Sequence, residues 1–119
     1  MIEIKNIRIG SNLPFVLIAG PCVVENEKIT LFSAEKIKEI TSKLDIPFVF
    51  KSSYKKANRT SIKSFKGIGD SEAIKILNKV REQLNIPLIT DVHSIEEISK
   101  VSNYIDILQI PEFLFRKKE

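Results

Sequence analysis

Asn12-Leu13-Pro14-Phe15-Val16-Leu17-Ile18, Asp45-Ile46-Pro47-Phe48-Val49-Phe50 and Asn85-Ile86-Pro87-Leu88-Ile89-Thr90 are three copies of one short phrase. Each has a polar residue, an apolar residue, a proline, and then a run rich in β-branched and aromatic side chains. Proline is tolerated at the first position of a strand, where no ladder donor is needed. An unbroken apolar run suits a strand buried on both faces, the condition of a parallel sheet. A fourth run, Tyr104-Ile105-Asp106-Ile107-Leu108-Gln109, has the same length without the leading proline.

Helical patterns separate these runs. Residues 27–44 place Ile29, Phe32, Ile37, Ile40 and Leu44 on one broad face, with lysines and glutamates around the other. Residues 71–84 space Ala73, Leu77, Val80 and Leu84 by four, three and four, with Asp70 or Ser71 as N-cap. Ser94-Ile95-Glu96-Glu97 is a capping-box sequence opening a short helix that turns Ile95, Ile98 and Val101 inward. Residues 2–9 alternate apolar and polar and predict a small N-terminal hairpin. The order is strand, helix, strand, helix, strand, helix, strand, in one domain spanning 1–119 with no visible linker.

Successive βα units build either a doubly wound sheet or a (β/α)8 barrel. The strands end in Ala19-Gly20-Pro21-Cys22, Lys51-Ser52-Ser53, Asp91-Val92-His93 and Gln109-Ile110-Pro111-Glu112. Reactive or polar groups thus sit at every carboxyl end, where a barrel collects its active site from many strands. A dinucleotide-binding sheet would carry Gly-x-Gly-x-x-Gly after the first strand, and this chain does not. The expected fold is α/β, of the (β/α)8 TIM-barrel family, with a short N-terminal β segment.

Composition limits the function classes. The 119 residues are 43% hydrophobic and 29% charged, enough to build a core and unlike a disordered tail. No apolar run of about 18 residues exists, so no membrane helix is expected. One cysteine cannot form an internal disulfide and fits a reducing cytoplasm. The net charge of +4 is spread along the chain rather than clustered with aromatics, which disfavours a nucleic-acid-binding domain.

The dense basic stretch is Lys51-Ser52-Ser53-Tyr54-Lys55-Lys56-Ala57-Asn58-Arg59-Thr60-Ser61. Its cations and hydroxyls suit anionic oxygens: Arg59 can chelate a phosphate bidentately and Thr60 can add a donor. A solvated basic loop is the plainer alternative. Against it, Lys51 ends a buried strand, where an ammonium is costly unless an anion meets it. Asp91 and His93, two apart, put a carboxylate and the single imidazole on one side, able to bind a polyol or carry protons. Cys22 is either a small buried thiol or a soft metal ligand, and this chain cannot complete a typical four-ligand site around it.

The phrase Ala19-Gly20-Pro21-Cys22-Val23-Val24-Glu25, the segment Phe50 to Ser61, Ile89-Thr90-Asp91-Val92-His93 and Ile107-Leu108-Gln109-Ile110-Pro111 together resemble 3-deoxy-D-manno-octulosonate 8-phosphate synthases (2-dehydro-3-deoxyphosphooctonate aldolases). The resemblance runs from about Ile9 to Arg116. Lys56-Ala57-Asn58-Arg59-Thr60-Ser61 is its most specific part. The sister 3-deoxy-7-phosphoheptulonate synthases, which use erythrose 4-phosphate, carry Lys-Pro-Arg-Thr there instead.

The resemblance implies a cytoplasmic transferase of lipopolysaccharide biosynthesis. It would condense phosphoenolpyruvate with D-arabinose 5-phosphate and water, giving the eight-carbon sugar-acid phosphate and inorganic phosphate. It assigns Lys51 and Lys56 to phosphoenolpyruvate, and Asn58 and Asp91 to the reacting groups and sugar hydroxyls. These four are the candidate catalytic residues. It gives Arg59 and Thr60 to the arabinose phosphate, and His93 and Gln109 to the phosphoenolpyruvate side. Arg116 would reach a neighbouring subunit's sugar-phosphate site, which implies a homo-oligomer. Cys22 marks the group that requires a divalent metal. The partners are small phosphorylated molecules, not nucleic acid or membrane.

Two departures stand out. Glu112 occupies a position where the family has a small residue near the bound phosphate. The sequence reaches Glu119 just past the fourth strand, whereas a complete barrel takes about 250 residues. The expectation is therefore an amino-terminal half-barrel of about four βα units. Lacking the remaining substrate and metal ligands, it would be inactive alone and would hold metal weakly.

Overall fold

The computed structural model describes residues 1–55 and 69–111. A hairpin comes first: β1 (Ile2–Ile4) and β2 (Ile7–Ile9) pair antiparallel, with Ile2 opposite Ile9. Lys5 turns the chain in the left-handed region, at φ 51°. The expected units follow: β3 (Leu17–Ala19), α1 (Glu27–Lys43), β4 (Phe48–Lys51), α2 (Asp70–Leu84), β5 (Leu88–Asp91), α3 (Ile95–Val101) and β6 (Ile107–Gln109). The last four strands form one parallel sheet in the order β3-β4-β5-β6. Sequential order with helix crossovers is the singly wound arrangement of a barrel, without the order reversal of a doubly wound sheet. No helix among the described residues is long and apolar enough to cross a membrane.

The register defines two faces. Ala19 is paired with Phe50, and Phe50 with Leu88. Side chains alternate along a strand, so these residues share a face. Phe48, Phe50 and Leu88 on that face join Ala34 of α1, Ala73, Ile74, Leu77 and Val80 of α2, and Val101 of α3 in one core. The opposite face carries Ile18, Val49, Lys51, Ile89, Asp91 and Ile107, by the register of β3 through β6. Ile18 there is 47% exposed, while Val49 is fully buried.

The recurring phrase has a second role at its polar residue. In two copies that residue closes the preceding helix. Asp45 (φ 58°) and Asn85 (φ 53°) take the left-handed conformation that short polar side chains tolerate best among residues other than glycine. After α1, Ile46 N–H donates to Thr41 O at 2.8 Å and Asp45 N–H to Ser42 O at 3.2 Å, the paired bonds of a Schellman ending. Each proline then contributes its carbonyl: Leu17 N–H donates to Pro47 O and Phe50 N–H to Pro87 O, both at 2.9 Å.

Three helix details differ from expectation. The buried residues of α1 are Thr30, Ala34 and Thr41, while Ile29, Phe32, Ile40 and Leu44 are exposed. The threonine hydroxyls are satisfied within the helix, Thr30 Oγ1 donating to Asn26 O at 2.7 Å and Thr41 Oγ1 to Ile37 O at 2.9 Å. At about 100° per residue, Ile29, Phe32 and Ile40 fall on the flank away from Glu27 and Lys38. Those two reach α2, through Lys79 Nζ at 2.8 Å and the Leu84 carbonyl. The apolar flank therefore lies on the side of α1 away from α2. Second, α2 is capped by Gly69 at φ 101° rather than by Asp70 or Ser71, and no side chain caps it. Third, Ser94 precedes α3 without a side-chain capping bond, and Ile95 is 54% exposed.

Candidate active site at the carboxyl ends of the strands

Gly20 leads out of β3 hard against the end of β4. A β-carbon on Gly20 would lie 1.9 Å from the Lys51 carbonyl oxygen and 2.9 Å from its carbon. Only glycine permits that approach. The pairing continues past the strands, with Ser53 N–H donating to Cys22 O at 3.1 Å and Val24 N–H to Ser53 O at 2.9 Å. Ser52 N–H donates to Ile89 O at 3.3 Å, and the buried Thr90 hydroxyl donates to Ser52 O at 2.7 Å. Backbone hydrogen bonds thus stitch the strand ends together.

Between them lies a cavity of about 360 Å³, lined by residues that include Gly20, Cys22, Lys51, Ser53, Asp91 and Gln109. Four residues expected at the site meet there: Cys22, Lys51, Asp91 and Gln109. Lys51 has no ion-pair partner among the described residues, whereas Lys55, in the same basic stretch, has two. The Lys55 ammonium lies 2.9 Å from Glu97 Oε2 and 3.2 Å from Asp70 Oδ2, so its charge is already matched.

Asp91 is held from two sides. Ser53 Oγ donates to its Oδ1 at 2.6 Å, and His93 Nε2 lies 3.5 Å from its Oδ2. His93 does not line the cavity. Its side chain is 10% exposed, stands beside Asp91, and packs edge-on against the Tyr54 ring with centroids 5.8 Å apart. His93 Nε2 is buried without a hydrogen-bond partner among the described residues. Such an atom gains free energy from any partner that reaches it.

Sequence reasoning read Ser53 and Tyr54 only as hydroxyls of the basic stretch and gave Glu97 no site role. Glu97 was legible only as the last residue of a capping box. Its Oε1 accepts from the Tyr54 hydroxyl and, at 3.2 Å, from His93 N–H. Partial burial pushes the Glu97 carboxyl upward, but the bonds from Tyr54, Lys55 and His93 outweigh it and hold it down at about 2. Burial, followed by the bond to the Glu97 carboxylate, raises the Tyr54 phenol well above its ordinary value.

Cys22 is exposed and lines the cavity, but no three His, Cys, Asp or Glu side chains converge to hold an ion among the described residues. The described residues alone do not make a metal site. Lys56, Asn58, Arg59, Thr60, Glu112 and Arg116 lie outside the described residues.

Known proteins with this sequence pattern are numerous. Curated relatives from Rickettsia canadensis (48% identical over 119 residues) and Rickettsia typhi (50% over 119 residues) match the whole chain. A relative from Burkholderia multivorans is 50% identical over 117 residues, or 98% of the chain. All three carry the name 2-dehydro-3-deoxyphosphooctonate aldolase. The chain spans 43%, 43% and 41% of their respective lengths. That share agrees with a sheet of four barrel strands where a closed barrel has eight. The profile described as the DAHP synthetase I family matches residues 1–119 from end to end, and by sheet order, strand-end chemistry and sequence the chain belongs to that family.

Proposed function

We propose that this chain supplies the first half of an active site that condenses phosphoenolpyruvate with D-arabinose 5-phosphate and water. The products are 3-deoxy-D-manno-octulosonate 8-phosphate and inorganic phosphate, a step of lipopolysaccharide precursor synthesis. The observation that carries this reading is the convergence of Lys51, Asp91 and Gln109 on one cavity at the strand ends, in a chain about half identical to proteins of that name. The enol methylene carbon forms the new bond to the sugar aldehyde carbon, water adds at the neighbouring carbon, and phosphate leaves. Negative charge gathers on the aldehyde oxygen as the carbon–carbon bond forms and on the departing phosphate, so cations and oriented dipoles placed in advance lower the barrier.

In this reading the Lys51 ammonium meets the phosphoenolpyruvate anion. Asp91, oriented by Ser53, accepts hydrogen bonds from sugar hydroxyls, and Gln109 contributes its amide at the phosphoenolpyruvate side. His93 orients Asp91 rather than forming the cavity wall. Lys56 and Asn58 act near the reacting carbonyl, and Arg59 and Thr60 hold the sugar phosphate. Arg116 reaches into a second subunit of a homo-oligomer. Both substrates are phosphorylated metabolites, which suits a reaction in the cytoplasm. The metal of this group would use Cys22 as one thiolate among several ligands. Affinity comes from ligands fixed together, so the chain alone binds metal weakly and does not turn over.

The test compares the purified chain with the chain joined to the remaining length of the Rickettsia typhi relative. Phosphate release is assayed with arabinose 5-phosphate and with erythrose 4-phosphate. Release from the joined protein with the five-carbon sugar alone is expected. Preference for the four-carbon sugar, or release with neither, refutes the reaction. Turnover by the 119-residue chain refutes the half-site reading.

A further inference from the structure

A glutamate three residues into a helix ordinarily reaches back to the N-cap N–H. Glu97 occupies that position in α3, yet its carboxylate goes elsewhere. It passes Ser94 and accepts from His93 N–H at 3.2 Å, while Glu97 N–H donates to the Ser94 carbonyl at 3.2 Å. The same Oε1 takes the Tyr54 hydroxyl, and Oε2 pairs with Lys55 at 2.9 Å. One carboxylate therefore ties the loop that follows β4 to the loop that follows β5. Tyr54, 3% exposed, closes the figure by setting its ring edge-on against the imidazole at 77°.

A helix cap alone would need neither Tyr54 nor Lys55. A charged carboxylate in a largely buried place (side chain 18% exposed) is costly unless its lone pairs are met, and three donors meet these. Each donor sits on a loop that carries site residues. Tyr54 and Lys55 directly follow Ser53, which holds Asp91, and directly precede Lys56. His93 stands 3.5 Å from the other oxygen of Asp91.

We propose that Glu97 is a positioning residue: by binding Tyr54, Lys55 and the His93 backbone together, it fixes the His93 imidazole beside Asp91. It also neutralises Lys55, leaving Lys51 as the cation that faces the cavity among the described residues. The inference rests on the reading of Asp91 and His93 as site residues for the condensation. Its test uses no substrate, so it can fail separately from that reading.

The chain has one histidine and two tyrosines, which makes the contact readable. In a tag-free chain carrying Tyr104→Phe, Tyr54 is the only phenol. Proton NMR should show cross-relaxation between the His93 imidazole and the Tyr54 ring, and tyrosinate absorbance should appear only at strongly alkaline pH. Glu97→Gln keeps the shape and removes the charge. The expected results are loss of the imidazole–ring contact and a fall of the tyrosinate step by about one pH unit or more, with helix content retained. Glu97→Asp should restore the alkaline step in part, and the exposed Glu96→Gln should leave both signals unchanged. Unchanged signals in Glu97→Gln, or equal changes in Glu96→Gln, overturn the proposal. If Glu97→Gln does not fold, the folded parent still decides: lack of the imidazole–ring contact there refutes it.

Discussion

Replacing Gly20 by alanine adds one methyl group where the structure leaves no space. The new β-carbon would sit 1.9 Å from the Lys51 carbonyl oxygen and 3.2 Å from the Lys51 nitrogen. The obstacle is backbone, so no rotamer change relieves it. Restoring ordinary van der Waals contact takes a separation of about 1.5 Å between the two strand ends. Overpacking of this kind costs about 1–3 kcal/mol. At a urea slope of about 1–2 kcal/mol per molar for a domain of this size, the midpoint should fall by about 1 M. Gly10→Ala is the matched control, because its β-carbon would find Leu13 Cδ1 at 3.4 Å, an ordinary contact. The assay is urea denaturation of parent and both variants, followed by circular dichroism. The displacement also moves Lys51, so in the joined protein phosphate release should fall by about tenfold or more. Equal midpoints for Gly20→Ala and Gly10→Ala would refute the claim that the β3 and β4 ends are in obligatory contact.

Four further outcomes follow from the same geometry. The Glu97 carboxyl is held at about 2 in the folded chain against an ordinary 4.5, so its contribution, on the order of 3 kcal/mol, is present above pH 4.5 and lost as pH falls through 2; urea midpoints across that window should drop in the parent and change less in Glu97→Gln. Leu77, 1% exposed in the core between α2 and the sheet, should cost about 2–5 kcal/mol when cut to alanine, read as a lower melting temperature. Paired substitutions Ile29→Lys and Ile40→Lys on the exposed flank of α1 should reduce concentration-dependent self-association in sedimentation velocity, since a contiguous apolar surface favours association. Lys51→Met should weaken phosphoenolpyruvate binding in calorimetric titration of the joined protein by about tenfold or more, with a smaller effect on arabinose 5-phosphate.

The sequence alone determined the strands, their order and the edge at which chemistry gathers, because those properties are local or periodic. A proline-led apolar run with a polar ending gives both a buried strand and its functional end in β4 and β5, whereas β3, at the edge of the sheet, leaves Ile18 47% exposed. The adjacency of Asp91 and His93 was legible from their spacing of two, although β5 ends at Asp91 and His93 stands beyond the strand, off the cavity wall. The family was legible from Ala19-Gly20-Pro21-Cys22 and its companion segments. The direction in which α1 turns its apolar residues was not. Thr30 and Thr41 can be buried because their hydroxyls bond within the helix, which leaves Ile29, Phe32 and Ile40 on the outer flank.

Only the tertiary structure decided which of Lys51 and Lys55 keeps an unmatched charge among the described residues. Lys51 and Lys55 look alike in a basic stretch, but Asp70 and Glu97 arrive from two later helices to neutralise Lys55. It also decided that Glu97 leaves its own helix cap for Tyr54 and His93, and that Gly20 is needed for its contact with Lys51 rather than for its own dihedral angles. Local propensity and periodicity are written along the chain, whereas a close approach or a shared carboxylate depends on residues about thirty to forty positions apart being brought together by the sheet.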